Sequence, residues 1–337
     1  MSAAAPALER GWFVAARSGA VTAQPQSVLL CGQPLVLVRN AGVVWALEDR
    51  CPHRGAPLSA GCLSAKGLQC PYHGWTFDAE GICRDMPGWA DAAAPAVRVP
   101  AFAVIERDGL VWVSDQSSLR RGRALPARIT GLDPARQRFL WQGLWRAPVL
   151  DIQENFLDAL HTHFIHPGLV RRSNARRDLR ATLKVADDGF VIDYAGQATQ
   201  SGLLFRLFES ARVGERAFYS ALGVAQLEYR YANGATIWIT LCCTPRDEQS
   251  THVFATLHVA GRWAPRWLVR WAVWPLLRRV ATQDQSILER VEQRHRDFFP
   301  DRTPVVTPQD LARPYLQAAW EGRLHALAPE VTRVLRL

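Results

Sequence analysis

The stretches that decide the fold of the N-terminal half are Cys51-Pro-His53 and, after sixteen intervening residues, Cys70-Pro-Tyr-His73-Gly-Trp. Two thiolates and two imidazoles form a four-ligand set that can bind zinc or an iron–sulfur cluster. Ligand type alone leaves both metals open, so a structural zinc site is the alternative to a cluster. We interpret the four side chains as one metal-binding set carried by two loops.

The sequence around these loops has the pattern of an antiparallel β domain. Residues 10–115 contain short segments rich in aromatic and β-branched residues, separated by Gly, Asp and Asn, such as SVLLCG, PLVLVRN, GVVWALE and LVWVS. Residues 116–140 are polar, basic and interrupted by Pro and Gly, as is typical of a connection. We therefore predict two domains, residues 1–118 and 119–337.

The second domain mixes helix and strand patterns. Helices are predicted at about 151–166 and 276–298, and the long β runs are 181–199, 217–231, 235–245 and 250–261. Runs of strands bracketed by helices predict an α+β domain.

The first predicted helix has polar residues where a core-facing stripe would be apolar. Asp151 and Glu154 have the D-x-x-E form of a capping box, which predicts a helix start. Asn155, Asp158 and His161 then follow at i, i+3 and i+6, and we expect them to share one face of this helix. Polar groups on that face indicate a function.

The end of this helix brings in a second histidine. His166 precedes Pro167, and a residue before proline avoids α geometry, so we expect the His166 ring to turn back toward His161. His163 lies about 200° around the helix from His161 and is predicted to face elsewhere. Taken alone, these histidines would be interpreted as ordinary structural residues.

The second predicted helix carries a carboxylate on its apolar stripe. Asp284 shares this stripe with Val280, Ile287, Leu288 and Val291. A carboxylate that faces a core must be paired, protonated or bound to a metal. Two histidines and one carboxylate that leave coordination positions open form the facial triad of non-haem Fe(II) oxygenases.

Both patterns resemble a known family. The arrangement C-x-H…C-x2-H followed by Gly-Trp resembles the Rieske [2Fe-2S] motif, in which two cysteines bind one iron and two histidines the other. The downstream pattern N-x2-D-x2-H-x4-H with a late Asp resembles the oxygenase component of the Rieske non-haem iron oxygenases, over essentially the whole chain. The chain length is similar to that of the vanillate and dicamba O-demethylase group. The resemblance implies an N-terminal all-β Rieske domain and a C-terminal helix-grip catalytic domain of antiparallel sheet with helices.

The resemblance also implies roles for particular residues. The Rieske cluster would be held by Cys51, His53, Cys70 and His73. The mononuclear iron would be held by His161, His166 and Asp284. Asp158 would bridge toward a Rieske histidine of a neighbouring subunit, and Asn155 would lie near the iron.

Two pairs of positions differ from respiratory-type Rieske proteins. Ala56 and Tyr72 stand where those proteins carry a disulfide, and Trp75 and Phe77 stand where they carry a Ser and a Tyr hydroxyl. Hydrogen bonds to the cluster sulfurs raise the potential. We therefore predict a lower-potential cluster, suited to oxygen activation rather than to quinol oxidation.

The resemblance implies an oxygenase that uses O2 and electrons from NAD(P)H. The chain has no G-x-G-x-x-G motif of its own, so we expect a separate reductase or ferredoxin to supply the electrons. The expected reaction is hydroxylation or oxidative demethylation of a small aromatic or heterocyclic substrate by a homo-oligomer, namely a trimer. The alternatives are an aromatic-ring cis-dihydroxylating dioxygenase and a non-catalytic electron carrier with a ligand cavity. His258 is a candidate for orienting a substrate oxygen.

Composition excludes several other classes. The formal net charge is +9, but the densest basic stretches lie in loop-like sequence beside apolar runs, so we expect no nucleic-acid partner. Four arginines interrupt the apolar stretch 263–280, so we expect no membrane span. The N-terminus lacks a signal-peptide pattern, and seven cysteines, an odd number, favour a reducing compartment. We expect a cytoplasmic protein.

Overall fold

The computed structural model describes residues 8–89, 95–116, 137–170, 178–195, 211–220, 222–261, 265–301 and 303–336. The chain divides into two units, Met1–Arg128 with Thr244–Glu248, and Ile129–Cys243 with Gln249–Leu337. The predicted domain boundary at 118/119 lies outside the described residues.

The N-terminal unit is built from antiparallel strands, as the sequence predicts. They form three sheets with the strand orders β1-β10-β9, β2-β3-β4 and β5-β6-β7-β8. The strands are β1 (Phe13–Arg17), β2 (Gln26–Leu30), β3 (Gln33–Asn40), β4 (Val43–Glu48), β5 (Cys62–Ser64), β6 (Gly67–Gln69), β7 (Thr76–Phe77), β8 (Cys83–Asp85), β9 (Phe102–Arg107) and β10 (Leu110–Asp115). Single 3-10 turns occupy Leu8–Arg10, Ser18–Ala20 and Leu58–Ala60.

The core of this unit lies directly beneath the two metal-binding loops. Val36, Leu47 and Leu68 are fully buried and belong to one cluster with Cys51 and Cys70. The first loop follows β4 and the second joins β6 to β7, so strand ends hold both cysteines in place. Burial of this apolar cluster therefore holds the ligand loops in position.

The C-terminal unit contains an eight-stranded antiparallel sheet of order β11-β17-β16-β15-β14-β13-β12-β18, in agreement with the predicted α+β class. Its strands are β11 (Gln137–Trp145), β12 (Asp178–Ala186), β13 (Gly189–Ala195), β14 (Arg212–Ser220), β15 (Val224–Tyr231), β16 (Thr236–Pro245), β17 (Thr251–Ala260) and β18 (Glu330–Arg336). The β runs predicted at 181–199 and 217–231 are not single strands. Each one contains a turn, before Gly189 and at Gly223 respectively, and so contributes to two antiparallel strands.

The described residues of this unit also form four helices: α1 (Val149–Leu157), α2 (Thr162–Ile165), α3 (Trp274–Phe298) and α4 (Arg313–Trp320). A short α turn (Arg266–Leu268) and a π turn (Val269–Val273) lead directly into α3. A 3-10 turn lies at Leu324–Ala326. Among the described residues, no helix is long and apolar enough to cross a membrane.

The prediction of one continuous helix over 151–166 is wrong. Helix α1 begins at Val149 after Pro148, so Asp151 and Glu154 do not form a capping box. Both carboxylates instead accept hydrogen bonds from Arg313 Nη1 of α4, at 2.5 and 2.9 Å. This ion-pair cluster ties α1 to α4, a long-range contact that a local motif cannot reveal.

The predicted apolar stripe of α3 is also partly wrong. Ile287 and Val291 are 37% and 54% exposed, whereas Leu288 packs against the core. Asp284 is only 14% exposed. The buried face of α3 is therefore narrower than the sequence pattern, but it does include Asp284.

Candidate metal centres and cavity

The two N-terminal loops have matching backbone geometry. The amide of each cysteine, Cys51 and Cys70, donates a 2.8 Å hydrogen bond to the carbonyl five residues later. The carbonyl of each cysteine accepts from a glycine four residues later, Gly55 or Gly74. Both glycines have a left-handed φ, +74° and +73°, which only glycine adopts at no steric cost. The glycines therefore close two similar turns around the ligand side chains.

The four side chains of these loops come together in pairs of like chemistry. Cys51 and Cys70 are 2% and 3% exposed and lie in the same buried cluster. Burial, with the neighbouring thiol, raises the pKa of Cys51 to about 11. The rings of His53 and His73 lie 4.5 Å apart between centroids. A thiol pair and an imidazole pair fit a group with two metal ions, one for each pair.

The structure supports this fit in two further ways. His53 Nδ1 is buried and has no hydrogen-bond partner among the described residues. Trp75 stacks on the His53 ring at 4.6 Å with an interplanar angle of 4°.

The seven cysteines, all in described segments, are free, so no disulfide joins the loops. Phe77, which stands where respiratory-type Rieske proteins carry a hydroxyl, is fully buried.

A break between α1 and α2 shapes the second group of polar residues. Asp158 leaves the helix with φ −82° and ψ 129°, and its carboxylate accepts from the amides of Leu160 (2.8 Å) and His161 (3.1 Å). The Tyr194 hydroxyl donates to the Leu157 carbonyl at 2.8 Å. Asp158 thus closes the turn that joins α1 to α2. Its position relative to His161 results from this turn and not from a shared helix face.

His161, His166 and Asp284 meet beside this break. One ligand atom of each lies within 4.8 Å of the others. Asp284 Oδ1 is 3.1 Å from His166 Nε2 and 3.5 Å from His161 Nε2. His166 ends α2 with φ −117° and ψ 49°, outside the α region that a residue before proline avoids. His163 is not part of this group.

The donor set fits a divalent metal ion. His166 Nε2 and Asp284 Oδ1 lie 3.1 Å apart, and both are buried without a hydrogen-bond partner among the described residues. Buried polar atoms are normally paired, so two such ligand atoms facing one point, with His161 Nε2 beside them, indicate a metal that would satisfy them. Two imidazoles and one carboxylate are the ligands of non-haem Fe(II) sites.

Gln283 is a residue of this site that the sequence reasoning missed. Its Oε1 lies 3.0 Å from Nδ1 of His166, whose side chain is only 1% exposed. Burial acts to lower the pKa of His166, but Asp284 and Gln283 raise it overall. The signal available in the sequence was its position next to Asp284.

A cavity of about 210 Å³ opens beside these residues. Asn155 and Asp158 line it, and Asp158 Oδ2 is 3.4 Å from His161 Nδ1. The other lining residues are mostly aliphatic or aromatic, from the sheet, α1 and α3; they include Trp141, Phe156, Leu227, Ile239, Leu241 and Trp274. His258, which is fully buried, does not line it.

Comparison with known families agrees with both centres. Residues 11–102 match the Rieske [2Fe-2S] domain. Residues 145–322, more than half of the chain, match the vanillate O-demethylase oxygenase C-terminal domain. The chain belongs to the Rieske non-haem iron oxygenases. As a member of this family it carries the Rieske domain N-terminal to the oxygenase domain, in the order that the sequence predicts.

Curated Rieske oxygenase relatives share about a third of the matched residues. The oxygenase component of dicamba O-demethylase from Stenotrophomonas maltophilia is 35% identical over 173 residues, 51% of this chain and 50% of the relative. Methylxanthine N1-demethylase NdmA from Pseudomonas putida is 36% identical over 146 residues, 43% of this chain and 41% of the relative. The matched segments thus span half or less of these relatives.

Solved structures share the fold over a longer range. Dicamba monooxygenase bound to dicamba has a TM-score of 0.75 at 24% identity, covering 95% of this chain and 98% of that chain. NdmA from Pseudomonas putida CBB5 with caffeine has a TM-score of 0.77 at 22% identity, covering 97% of each chain. At these identities the likeness concerns the fold alone.

Proposed function

We propose that this chain is the oxygenase component of a multi-component system that hydroxylates or oxidatively demethylates a small aromatic or heterocyclic compound. The observation that carries the proposal is the group formed by His161, His166 and Asp284 at the wall of an apolar cavity. An electron carrier needs neither a second metal centre nor a cavity beside it. An oxygenase needs the second metal centre to activate O2 and the cavity to hold the substrate.

The proposed metal ligands follow from the two donor sets. Cys51, His53, Cys70 and His73 would hold a [2Fe-2S] cluster, and His161, His166 and Asp284 would hold Fe(II). When bound, the cluster supplies single electrons and the Fe(II) supplies O2 activation next to the substrate.

The protein's own groups orient the ligands and exclude water. Asp158, 3.4 Å from His161 Nδ1, would hold that ring by a hydrogen bond. We propose that its carboxylate also faces a Rieske histidine of a neighbouring copy in a homotrimer, which would couple the two centres. Asn155, at the cavity wall beside Asp158, would offer an amide near the metal. The apolar lining would keep solvent from the reacting atoms.

The proposed partners follow from the chemistry and from the relatives. The reaction requires electrons that the chain cannot take from NAD(P)H by itself, so a separate reductase or ferredoxin would supply them. Relatives are named for dicamba and methylxanthine demethylation, an aromatic and a heterocyclic substrate. The cavity lining, mostly aliphatic and aromatic, suits either ring type.

A turnover screen tests this proposal. The iron-loaded protein, supplied with a Rieske-oxygenase reductase, NADH and O2, is offered methoxy, N-methyl and unsubstituted aromatic compounds. We expect substrate-dependent NADH consumption with formaldehyde or a hydroxylated product. A cis-diol as the main product would favour the dioxygenase alternative. A protein that binds two irons per chain and gives no oxygenated product would support the electron carrier.

A further inference from the structure

One charged side chain in the cavity wall is used by neither metal centre. Glu215 of β14 lines the cavity together with Tyr194 and Tyr229. In the sheet, Glu215 lies directly opposite Tyr194 of β13 and Tyr229 of β15. Residues opposite each other in antiparallel strands point to the same face. A Tyr-Glu-Tyr row therefore crosses the otherwise apolar floor of the cavity.

A β-bulge places a cation beside this carboxylate. The register of β14 shifts between Arg212 and Gly214, so Val213 is an extra residue and Arg212 can share a face with Glu215. Arg212 Nη1 donates to Glu215 Oε2 at 2.8 Å, and the guanidinium lies 4.0 Å from the Tyr229 ring centroid. The two charged side chains are 13% and 16% exposed. Charges that are largely removed from water are costly, so each member of such a pair needs hydrogen-bond partners for its remaining polar atoms.

The second oxygen of this carboxylate remains available. Among the described residues, Arg212 donates to Oε2 of Glu215, and no group donates to Oε1. Glu215 is itself one of the residues that line the cavity. The neighbouring Tyr194 hydroxyl is occupied, because it donates to the Leu157 carbonyl. Glu215 therefore presents one strong acceptor in an apolar surrounding.

We propose that Glu215 anchors the substrate by accepting a hydrogen bond from an N–H or O–H group on its ring. This inference rests on the proposed function and narrows its substrate class to neutral or cationic ring compounds that carry a donor. A carboxylate or sulfonate group would face the Glu215 charge and is disfavoured. Among the described residues that line the cavity outside the metal centre, the other charged group is Arg278, which is exposed on α3.

Three ligands of similar size separate these possibilities. Guaiacol has a phenolic donor, veratrole is its methyl ether without a donor, and o-anisate carries a carboxylate. Their dissociation constants are measured by calorimetry on the resting holoenzyme, without reductase. We expect guaiacol to bind about tenfold to hundredfold more tightly than veratrole, as a hydrogen bond to a charged acceptor would give. We expect o-anisate to bind most weakly.

The variant Glu215→Gln keeps the shape and removes the charge. We expect its preference for guaiacol over veratrole to fall to about threefold, the effect of a neutral hydrogen bond, with veratrole binding unchanged. The matched control is Glu228→Gln, because Glu228 is 13% exposed and paired with Trp238 and Arg230 but does not line the cavity. This control should bind all three ligands as the unaltered protein does.

Several outcomes would overturn the proposal. They are equal binding of guaiacol and veratrole by the unaltered protein, tighter binding of o-anisate, no measurable binding of guaiacol, or an unchanged preference in Glu215→Gln. The comparison of ligands on the unaltered protein does not depend on the folding of a variant. Because binding is measured without turnover, failure of the oxygenase reaction would leave the order of affinities intact and be seen separately.

Discussion

Replacing Gln283 by leucine should weaken metal binding at the His161–His166–Asp284 group without touching a ligand. A histidine that binds a metal through Nε2 carries its proton on Nδ1, and Gln283 Oε1, 3.0 Å from His166 Nδ1, is the atom that accepts it. Leucine has a similar volume but no acceptor. The His166 Nδ1–H would then be buried without a partner, or the ring would change tautomer and turn Nε2 into a donor.

The size of the effect follows from burial. His166 is 1% exposed, so water cannot replace the lost acceptor. An unsatisfied buried donor costs about 1–3 kcal/mol. At 1.4 kcal/mol for each factor of ten, this corresponds to roughly a tenfold to hundredfold rise in the metal dissociation constant. That is also the range, about 10 to 100-fold, found when hydrogen-bond partners of metal-bound histidines are removed.

The assay titrates Co(II) into protein that retains its Rieske cluster but lacks the mononuclear metal. Binding is followed by the change in heat and by the Co(II) absorption bands. The matched control is Gln285→Leu, because Gln285 lies on the same helix and its amide bonds Glu289 instead of the metal group. Gln283→Glu, which keeps an acceptor, should restore the affinity.

A Co(II) dissociation constant within twofold of the unaltered protein in Gln283→Leu would refute this reasoning. An equal loss in Gln285→Leu would also refute it, because the effect would then reflect helix stability and not the orientation of His166.

Four further expectations concern both centres. Cys51→Ser should abolish the electron paramagnetic resonance signal of the reduced Rieske cluster and leave Co(II) binding at the other centre unchanged; a persisting signal would contradict the ligand set. His161→Ala should abolish turnover with the cluster intact, whereas His163→Ala should retain it, as a side-by-side NADH and product assay would show. Asp158→Asn should assemble and bind both metals but slow re-oxidation of the reduced cluster in a single turnover with substrate and O2; re-oxidation at the normal rate would exclude a bridging role. Phe77→Tyr should raise the cluster potential in a dye-linked titration by roughly 50 mV, the equivalent of one hydrogen bond of about 1 kcal/mol, and an unchanged potential would mean that this position does not reach the sulfurs.

Local patterns were sufficient where the chemistry depends on close neighbours in the chain. The loops at Cys51 and Cys70 each carry a cysteine and a histidine within four residues, so the ligand types and their pairing could be predicted without coordinates. The alternation of apolar residues likewise predicted an antiparallel N-terminal domain, which the structure confirms. Pro167 indicated where the segment carrying His166 must leave the helix. The roles of these residues at the metals remain predictions.

Contacts between distant segments were beyond the reach of sequence alone. Arg313 lies more than 150 residues away and donates hydrogen bonds to Asp151 and Glu154, the two carboxylates with the pattern of a capping box. Tyr194 donates to the Leu157 carbonyl at the helix break before Asp158. A β-bulge places Arg212 beside Glu215, although their spacing puts them on opposite faces of a regular strand. The alternation of apolar side chains and the stiffness of proline act over a few residues, so their effects can be predicted locally. For this reason the sequence by itself determined the ligand-bearing loops, the strand and helix classes and the family. The helix break, the acceptor for His166 and the charged floor of the cavity depend on which strands and helices pack together, and only the tertiary structure decided them.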